Sequence, residues 1–294
     1  DVCSSDLVYP SLLTQCLILL YLTAKTIHRD STVSAYGQQT HVAVAKALGL
    51  AWHFLVYGHR AQLLYILGIG RGLCLTLAEI GATVIAISKT KEHLEFLTKQ
   101  WPLIKTVCVD LADWKATKKA LEDVEVAHGL INNAGVGVLE SFLDITEEIF
   151  DKTFAVNLKA VINVSQIVAR KMISSNIKGS IVNISSQASL RGLHGHGVYC
   201  ASKAGLDGLT RVMALELGVH QIRVNCVNPT VVMTELGKSA WGDADKAEAM
   251  LSRIPLGKFA EVNDVVQAVI FLLSEDSSMI NGTILPVDGG FLAA

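Results

Sequence analysis

The chain has 294 residues, with 25 Lys and Arg against 27 Asp and Glu, which leaves a formal net charge of -2 at pH 7. This near balance argues against a broad nucleic-acid surface, because such a surface requires an excess of basic side chains on one face. The six cysteines are scattered and include no CxxC pair. That pattern excludes a disulfide scaffold or a zinc ribbon and is typical of reduced thiols. We therefore expect a cytoplasmic protein without a metal site.

Residues 1–62 carry few charges and differ in this respect from the rest of the chain. Their most apolar run, residues 11–22, is short for a membrane span, which needs about 20 predominantly apolar residues. Asp1 and Asp6 do not fit the basic start of a signal peptide. Residues 1–7 also match the in-frame translation of the end of a widely used sequencing adapter. We therefore interpret residues 1–62 as a non-native or disordered extension and expect no stable membrane span.

From residue 63 onward, short β-branched runs alternate with longer amphipathic segments. This alternation predicts βαβ units, and the continuously apolar strands indicate that helices cover both faces of the sheet. The fold class is therefore α/β, a single doubly wound parallel sheet of Rossmann-like type in one domain, residues 63–294. Predicted strands lie at residues 63–67, 83–87, 106–109, 129–132, 180–184, 223–227 and 283–287, and predicted helices at 71–80, 91–100, 114–122, 147–175, 198–218 and 262–274.

The first two predicted strands are followed by residues suited to a dinucleotide, and ligands of such sheets lie beyond the carboxyl ends of the strands. Gly68, Ile69 and Gly70 open a helix, where bare backbone amides can approach a pyrophosphate. Close packing of the helix on a strand would explain the glycines equally well. Ser88 and Lys89 follow the second strand and suit a 2′-phosphate, hence NADP(H). A solvated Lys ahead of a helix is the simpler alternative.

The next two strands end in residues of the same kind. Asp110 and Leu111 follow the third strand and could hydrogen-bond the edge of an adenine. Asn133, Ala134 and Gly135 follow the fourth strand and place small residues where the backbone must pass close to a cofactor. Together these segments predict a nucleotide site along one edge of the sheet.

Four further residues form a candidate catalytic group. Asn157 lies on an otherwise apolar helical stripe, so its amide must be paired, either structurally or within a polar site. Ser186 closes the fifth strand, and Tyr199 and Lys203 share one helical face at i, i+4 spacing. A nearby ammonium stabilises phenolate and lowers the pKa of Tyr toward working pH, as a general acid requires. A single Tyr-x-x-x-Lys is common by chance, but here it follows the Ser and the nucleotide pattern in order.

With these motifs the chain resembles the short-chain dehydrogenase/reductase family from about Gly68 to Ala294, and its subgroup of dicarbonyl and L-xylulose reductases in particular. The resemblance is carried by residues 68–70, 132–135, 157, 186, 199, 203 and 228–229, and by the longer runs 107–111, 164–170, 227–234 and 253–262. It implies NADPH-dependent reduction of small carbonyl substrates, L-xylulose to xylitol and α-dicarbonyls, in carbohydrate metabolism. It also implies a homotetramer.

The resemblance further implies a role for each residue. Tyr199 would protonate the substrate carbonyl oxygen and Ser186 would hydrogen-bond to it. Lys203 would lower the pKa of Tyr199 and hold the nicotinamide ribose, while Asn157 would position a water that links Lys203 to solvent. Residues expected to contact the nicotinamide amide and the phosphates are Thr230, Val231 and Thr234, and Pro229 is expected to belong to the same cofactor site. Residues expected to line the substrate pocket are Gln187, His196 and Trp241, although a surface-loop His and a packing Trp are the plainer alternatives.

One segment departs from the family pattern. The family ends its first strand in a Thr-Gly pair, whereas Leu63 and Leu64 stand there in this chain. The Gly that permits the tight turn is absent, so we expect a damaged phosphate cradle. An alternative function follows: a catalytically inactive family scaffold that acts through subunit association. The intact Ser186, Tyr199 and Lys203 favour the reductase, because a scaffold has no need to keep them together.

Overall fold

The computed structural model describes residues 17–21, 68–234, 237–238, 241 and 243–294, all of which belong to one compact unit. The strands are β1 (Leu17–Tyr21), β2 (Thr83–Ser88), β3 (Lys105–Cys108), β4 (Gly129–Asn132), β5 (Ser180–Ile184), β6 (Arg223–Pro229) and β7 (Ile284–Val287). The helices are α1 (Gly68–Glu79), α2 (Lys91–Gln100), α3 (Trp114–Ala120), α4 (Glu147–Phe154), α5 (Ala160–Ser174), α6 (Gly197–Leu217), α7 (Ala244–Leu251) and α8 (Val262–Leu273).

Within the described ranges the strands form one seven-stranded sheet in the order β3-β2-β1-β4-β5-β6-β7. Neighbouring pairs other than those of β1 are parallel. One face of the sheet packs against α1, α2 and α8 through a core that includes Leu73, Leu97 and Val265. The other face packs against α5 and α6 through a core that includes Val164 and Met213. Helices on both faces of a largely parallel sheet confirm the predicted fold class.

The central strand differs from its neighbours in direction. β1 lies between β2 and β4 and pairs antiparallel with both. In this register Leu17 faces Ile87 and Tyr21 faces Thr83, so β1 ends at the edge of the sheet where β2 begins. We did not predict this strand, which lies inside residues 1–62. The predicted first strand, residues 63–67, lies outside the described residues.

Helix α1 begins at Gly68, three residues earlier than predicted, so the Gly-x-Gly forms its first turn. Gly68 has a φ of 70°, a conformation that glycine adopts without steric cost. Further along, a Cβ at Gly72 would lie 2.6 Å from Val262 Cγ1. The absence of a side chain at Gly72 therefore lets α1 pack closely against α8.

The segment predicted as one helix at 147–175 contains an irregular turn. Thr146 caps its start, because its side chain accepts a hydrogen bond from the Ile149 amide at 3.3 Å. Between α4 and α5 the backbone forms a π-helical turn, Ala155–Lys159. Such turns are often found at functional sites, and this one contains Asn157.

Among the described residues, no helix is long and apolar enough to cross a membrane. Their four cysteines form no disulfide bond. These ranges also hold no group of three or more His, Cys, Asp or Glu placed to bind a metal ion.

Candidate active site

The candidate catalytic residues meet at the carboxyl ends of β4 and β5. Ser186 follows β5 and begins a short 3-10 turn, Gln187–Ser189, while Tyr199 and Lys203 occupy the first two turns of α6. The Lys203 ammonium donates a hydrogen bond to the carbonyl of Ile184, the last residue of β5, at 2.8 Å. The Ser186 hydroxyl lies near the Tyr199 phenol and acts to lower its pKa. The structure thus brings together the strand-end Ser and the Tyr–Lys pair that the sequence predicted.

Asn157 connects this group to the backbone that follows β4. Its Oδ1 accepts from the Val136 amide at 2.8 Å, and its Nδ2 donates to the Val136 carbonyl at 2.9 Å. Nδ2 also lies 2.9 Å from the hydroxyl of Ser202, which donates to the Tyr199 carbonyl at 2.8 Å. The buried amide is therefore fully paired, and it holds the β4 loop against the start of α6.

Gly135 leaves a narrow space between two of the catalytic side chains. A Cβ at this position would lie 3.4 Å from Lys203 Nζ and 3.6 Å from Asn157 Oδ1. Any larger residue would fill the space in front of the ammonium. The water predicted beside Asn157 and the ribose expected at Lys203 would both lie in this space. Both assignments stay predictions.

Burial dominates the electrostatics of the pair. Burial raises the pKa of Tyr199, and the neighbouring Ser186 hydroxyl offsets this only in part. Burial also lowers the pKa of Lys203 to about 8, against the opposing influence of Cys226 and Asp207. The ammonium lies 5.8 Å from the centre of the Tyr199 ring and donates to a backbone carbonyl instead of to the phenol. Burial thus dominates the pKa of Tyr199 in this arrangement, and the lowering of that pKa by Lys203 stays a prediction.

The residues predicted for the phosphates lie on two neighbouring elements. Gly68, Ile69 and Gly70 form the first turn of α1, whose amides have no partner within the helix and so favour an anion. Ser88 is the last residue of β2, and its buried hydroxyl accepts from the Thr90 amide at 3.2 Å. Lys89 comes next and is half-buried. Its side chain therefore starts at the carboxyl edge of the sheet, as a ligand of a 2′-phosphate would.

Some side chains in the segments after β3 and β4 are already hydrogen-bonded or buried, so that only part of each segment could contact a ligand. Asp110 Oδ1 accepts from the Ala112 amide at 2.9 Å and so closes a turn. The Leu111 side chain is buried in the core, which leaves its backbone as the part that could meet an adenine. Asn133 and Ala134 follow β4 directly, at the same edge as Gly135.

The segment after β6 offers one unpaired polar group. Pro229 is the last residue of β6, and the Thr230 amide donates to the Val287 carbonyl at 3.1 Å. Thr230 Oγ1 is buried and has no hydrogen-bond partner among the described residues. Val231 packs against a small apolar cluster, and Thr234 Oγ1 accepts from the Gly237 amide at 3.0 Å.

The three residues predicted for the substrate pocket have different surroundings. Gln187 directly follows Ser186, and its Oε1 is buried without a hydrogen-bond partner in the described part of the chain. The His196 ring meets the Tyr199 ring edge-on, with centroids 6.2 Å apart. Trp241 lies 5.9 Å from the Phe259 ring and packs on the apolar cluster near the end of the chain. Gln187 and His196 thus adjoin the catalytic group, whereas Trp241 shows the contacts of a packing residue.

A polar cluster that was not predicted from the sequence lies directly behind the site. Asp207 lies one turn after Lys203 on α6 and is buried, together with Asn228 on β6. Asn228 Nδ2 donates to the Ser186 carbonyl at 3.1 Å and to Asp207 Oδ2 at 3.0 Å. The signal that could have found Asp207 is its position at i+4 from Lys203, which puts an acid on the face of the helix that holds the Lys.

A comparison with protein families agrees with this arrangement. A family model described as enoyl-(acyl carrier protein) reductase matches residues 66–292. A sheet of this type with a Ser, a Tyr and a Lys at its carboxyl edge defines a class of oxidoreductases that act on CH–OH and C=O groups. The chain belongs to the short-chain dehydrogenase/reductase family.

Relatives within the family are similar over most of their length. L-xylulose reductase of Bos taurus is 58% identical over 226 residues, which are 77% of this chain and 93% of the relative. Carbonyl reductase [NADPH] 2 of Sus scrofa is 47% identical over 227 residues, 77% of this chain and 93% of the relative. The crystal structure of a gluconate 5-dehydrogenase from Burkholderia cenocepacia in complex with NADP and tartrate is 30% identical, with a TM-score of 0.73, and covers 77% of this chain and 92% of its own.

Proposed function

We propose that the protein is an NADPH-dependent reductase of small carbonyl compounds, with L-xylulose and α-dicarbonyls among its substrates. The observation that carries the proposal is the grouping of Ser186 and Tyr199 with the buried ammonium of Lys203 at the carboxyl end of β5. The similarity to an L-xylulose reductase and to a carbonyl reductase that uses NADPH supports the substrate class and the cofactor.

Several features of the described residues fit a bound NADP(H). Gly135 leaves room in front of Lys203 that a side chain would fill. Thr230 Oγ1 is a buried hydroxyl that lacks a partner and suits the amide of a nicotinamide. Lys89 would supply the positive charge for a 2′-phosphate, which is a preferred partner of basic side chains. Lys203 and Thr230 would hold the nicotinamide end of the molecule, and Lys89 would hold its adenosine end.

NADPH, when bound, supplies a hydride to the carbonyl carbon of the substrate. Tyr199 gives its phenolic proton to the carbonyl oxygen, so that the carbonyl becomes an alcohol and the Tyr a phenolate. Its raised pKa means that the proton is present before the reaction. Ser186 Oγ donates a hydrogen bond to the same oxygen and so fixes the carbonyl next to Tyr199. The charged form of Lys203 stabilises the phenolate until it regains a proton from water.

Polar residues around the catalytic group favour a small hydroxylated ketone. The unpaired Gln187 Oε1 is a hydrogen-bond acceptor beside Ser186, and the His196 ring lies against Tyr199. A ketose brings a hydroxyl next to its carbonyl, and an α-dicarbonyl brings a second carbonyl. The hydroxyl of a ketose could donate a hydrogen bond to Gln187 Oε1, whereas the second carbonyl of an α-dicarbonyl needs a donor such as the Gln187 amide N–H. Such bonds would distinguish these substrates from simple ketones.

We also propose that the protein is a homotetramer, as the family resemblance implies. Val212, Leu215 and Val219 lie along the end of α6 and beyond it and are exposed, which is a feature of surfaces that pair. Light scattering at micromolar protein concentration should give the mass of four chains. A monomeric mass would contradict the proposal.

The deciding experiment is a fluorescence titration with NADPH, followed by turnover of L-xylulose and diacetyl. It compares this chain with a variant in which residues 1–67 are replaced by a family-like strand and Gly-rich turn. Saturable binding and turnover by both proteins are the expected result, with weaker NADPH binding by this chain because its phosphate cradle lacks the Gly-rich turn of the family. Binding by the variant alone would show that this chain does not carry the function and would favour the scaffold alternative. Binding without turnover in both would refute the reductase.

A further inference from the structure

Asp207 is a buried carboxylate surrounded by hydrogen-bond donors. It is 2% exposed. Ser189 Oγ donates to its Oδ2 at 2.6 Å, and Asn228 Nδ2 donates to the same oxygen at 3.0 Å. The Cys226 thiol donates to Oδ1 at 3.4 Å. An ionised carboxylate only accepts hydrogen bonds, so the surroundings of Asp207 suit its charged form.

Buried charges need a partner of opposite sign, and Lys203 is the buried cation closest to Asp207 along α6. The two residues are four apart and therefore lie on one face of the helix. Asp207 favours the charged form of Lys203, whereas burial opposes it. The other titratable groups near Asp207 do not replace it in this role. Burial keeps Cys226 protonated because it raises the pKa of that thiol, and Arg211 reaches only the Asp207 backbone carbonyl, at 3.5 Å.

Asp207 is also connected to the backbone of the catalytic Ser. Asn228 Nδ2 donates to the Ser186 carbonyl at 3.1 Å and lies 2.8 Å from Ser189 Oγ. Through Asn228 and Ser189, both ends of the turn that begins at Ser186 are tied to one carboxylate. Because Ser186 begins this turn, a displacement of the turn would displace the hydroxyl that is proposed to orient the substrate oxygen.

We propose that Asp207 is a positioning residue for the reduction, one that fixes the Ser186 turn through Ser189 and Asn228 and serves as the countercharge of Lys203. It touches neither substrate nor cofactor and acts through these residues. The proposal rests on the proposed function for its effect on turnover. Its effect on Lys203 does not depend on turnover and can be measured in the protein without cofactor.

The test compares Asp207→Asn with Asn225→Ala. The Asn side chain has nearly the shape of Asp but no charge, and it would turn an N–H toward donors. Asn225 is also buried on β6, where it donates to the Ile280 carbonyl and accepts from the Thr283 amide. Its replacement therefore lowers stability without a contact to Ser186 or Lys203. We expect Asp207→Asn to lower kcat by about 10- to 100-fold, as for a misplaced reacting group, with a smaller change in KM. We expect Asn225→Ala to leave kcat within about 2-fold while it lowers the Tm.

Two pH measurements separate the roles of Asp207. The basic limb of the kcat/KM profile should move to lower pH in Asp207→Asn, and the NMR titration of the Lys203 side chain in the cofactor-free protein should move in the same direction. Ser189→Ala should lower kcat several-fold and leave the Lys203 titration in place, which keeps the proposal testable if Asp207→Asn fails to fold. Unchanged kcat and titration in a folded Asp207→Asn would overturn the proposal. An inactive wild type whose Lys203 titration still depends on Asp207 would instead refute the reductase function.

Discussion

The two halves of the carboxyl edge of the sheet are built differently. In the catalytic half, β4, β5 and β6 run parallel, and the side chains that follow them are joined by short hydrogen bonds. In the nucleotide half, the central strand β1 runs antiparallel to β2 and β4. Because α1 ends just before β2 begins, its first turn lies at the carboxyl edge, whereas β1 ends at the opposite edge. β1 and α1 therefore do not form the direct strand–turn–helix unit of the family.

This difference shows that the catalytic group and the phosphate cradle have different structural requirements. Tyr199 and Lys203 need only one helix and one strand end to meet. A cradle for phosphates also needs the chain to leave the central strand at the correct edge. One half can consequently keep its geometry while the other is altered, and variants in each half should reveal how far the two are independent.

The largest effect is expected in the catalytic half. Tyr199→Phe removes the proton donor and should lower kcat for carbonyl reduction by about 10²- to 10⁴-fold, the usual contribution of general acid catalysis. Because the ring remains, the affinity for NADPH in a fluorescence titration should be little changed. Steady-state rates and the titration are measured on one preparation. Activity close to that of the unmodified protein would remove Tyr199 from the mechanism.

The next effect tests the central strand. Leu19 lies in the middle of β1 and faces Ile85 and Leu130 on its two neighbours. Leu19→Pro removes a backbone donor from the interior of the sheet and should lower the free energy of unfolding by about 3 kcal/mol or more. Leu19→Val keeps the donor and is the matched control. Equal stability of the two variants in urea would show that the sheet does not depend on β1.

A smaller loss of stability is expected within the catalytic half, at Asn157. Asn157→Ala leaves the amide and carbonyl of Val136 without their partners and should cost about 2–4 kcal/mol. Asn163 is also buried, on α5, but donates one hydrogen bond, to the Trp114 carbonyl at 3.0 Å. Asn163→Ala should therefore cost less. Thermal and urea unfolding would check the order, and a larger cost at Asn163 would contradict it.

The smallest effect concerns the choice of cofactor. Lys89→Asp replaces a positive charge by a negative one and should shift the ratio of affinities from NADPH toward NADH by about 10-fold, or 1.4 kcal/mol. Lys91→Asp changes charge two residues later, where Lys91 forms an exposed ion pair with Glu95 at 3.5 Å, and should leave the ratio nearly unchanged. Comparable shifts in both variants would indicate a general electrostatic effect and no specific phosphate contact at Lys89.

The sequence predicted those parts of the molecule that local patterns specify. Apolar β-branched runs gave the strands after residue 83, and the i, i+4 spacing gave the shared face of Tyr199 and Lys203. Strand direction is different, because apolar alternation reads the same in both directions. For that reason the antiparallel pairing of Leu17–Tyr21 at the centre of the sheet could not be predicted from its apolar sequence.

Other features were missed because they depend on contacts between distant residues. The role proposed for Asp207 depends on its hydrogen bonds with Ser189 and Asn228. Ser189 lies in a turn before α6 in the chain, and Asn228 lies on a strand after it. The pKa of Tyr199 is raised by burial, which the spacing of Tyr and Lys cannot reveal. The role of each such residue follows only once the sheet has brought those elements together.

The π turn at Ala155–Lys159 makes this helix sensitive to a change in length. An α-helix turns by about 100° per residue, so the wider turn acts as one inserted residue that resets the angle between α4 and α5. Deletion of a single residue here would convert it to a regular turn. Either the apolar stripe of α5, which includes Val164 and Val168, would then rotate away from the sheet, or Asn157 would rotate away from Val136. A one-residue deletion is tolerated in many surface loops. At this turn it would disrupt either the packing of α5 on the sheet or the hydrogen bonds between Asn157 and Val136.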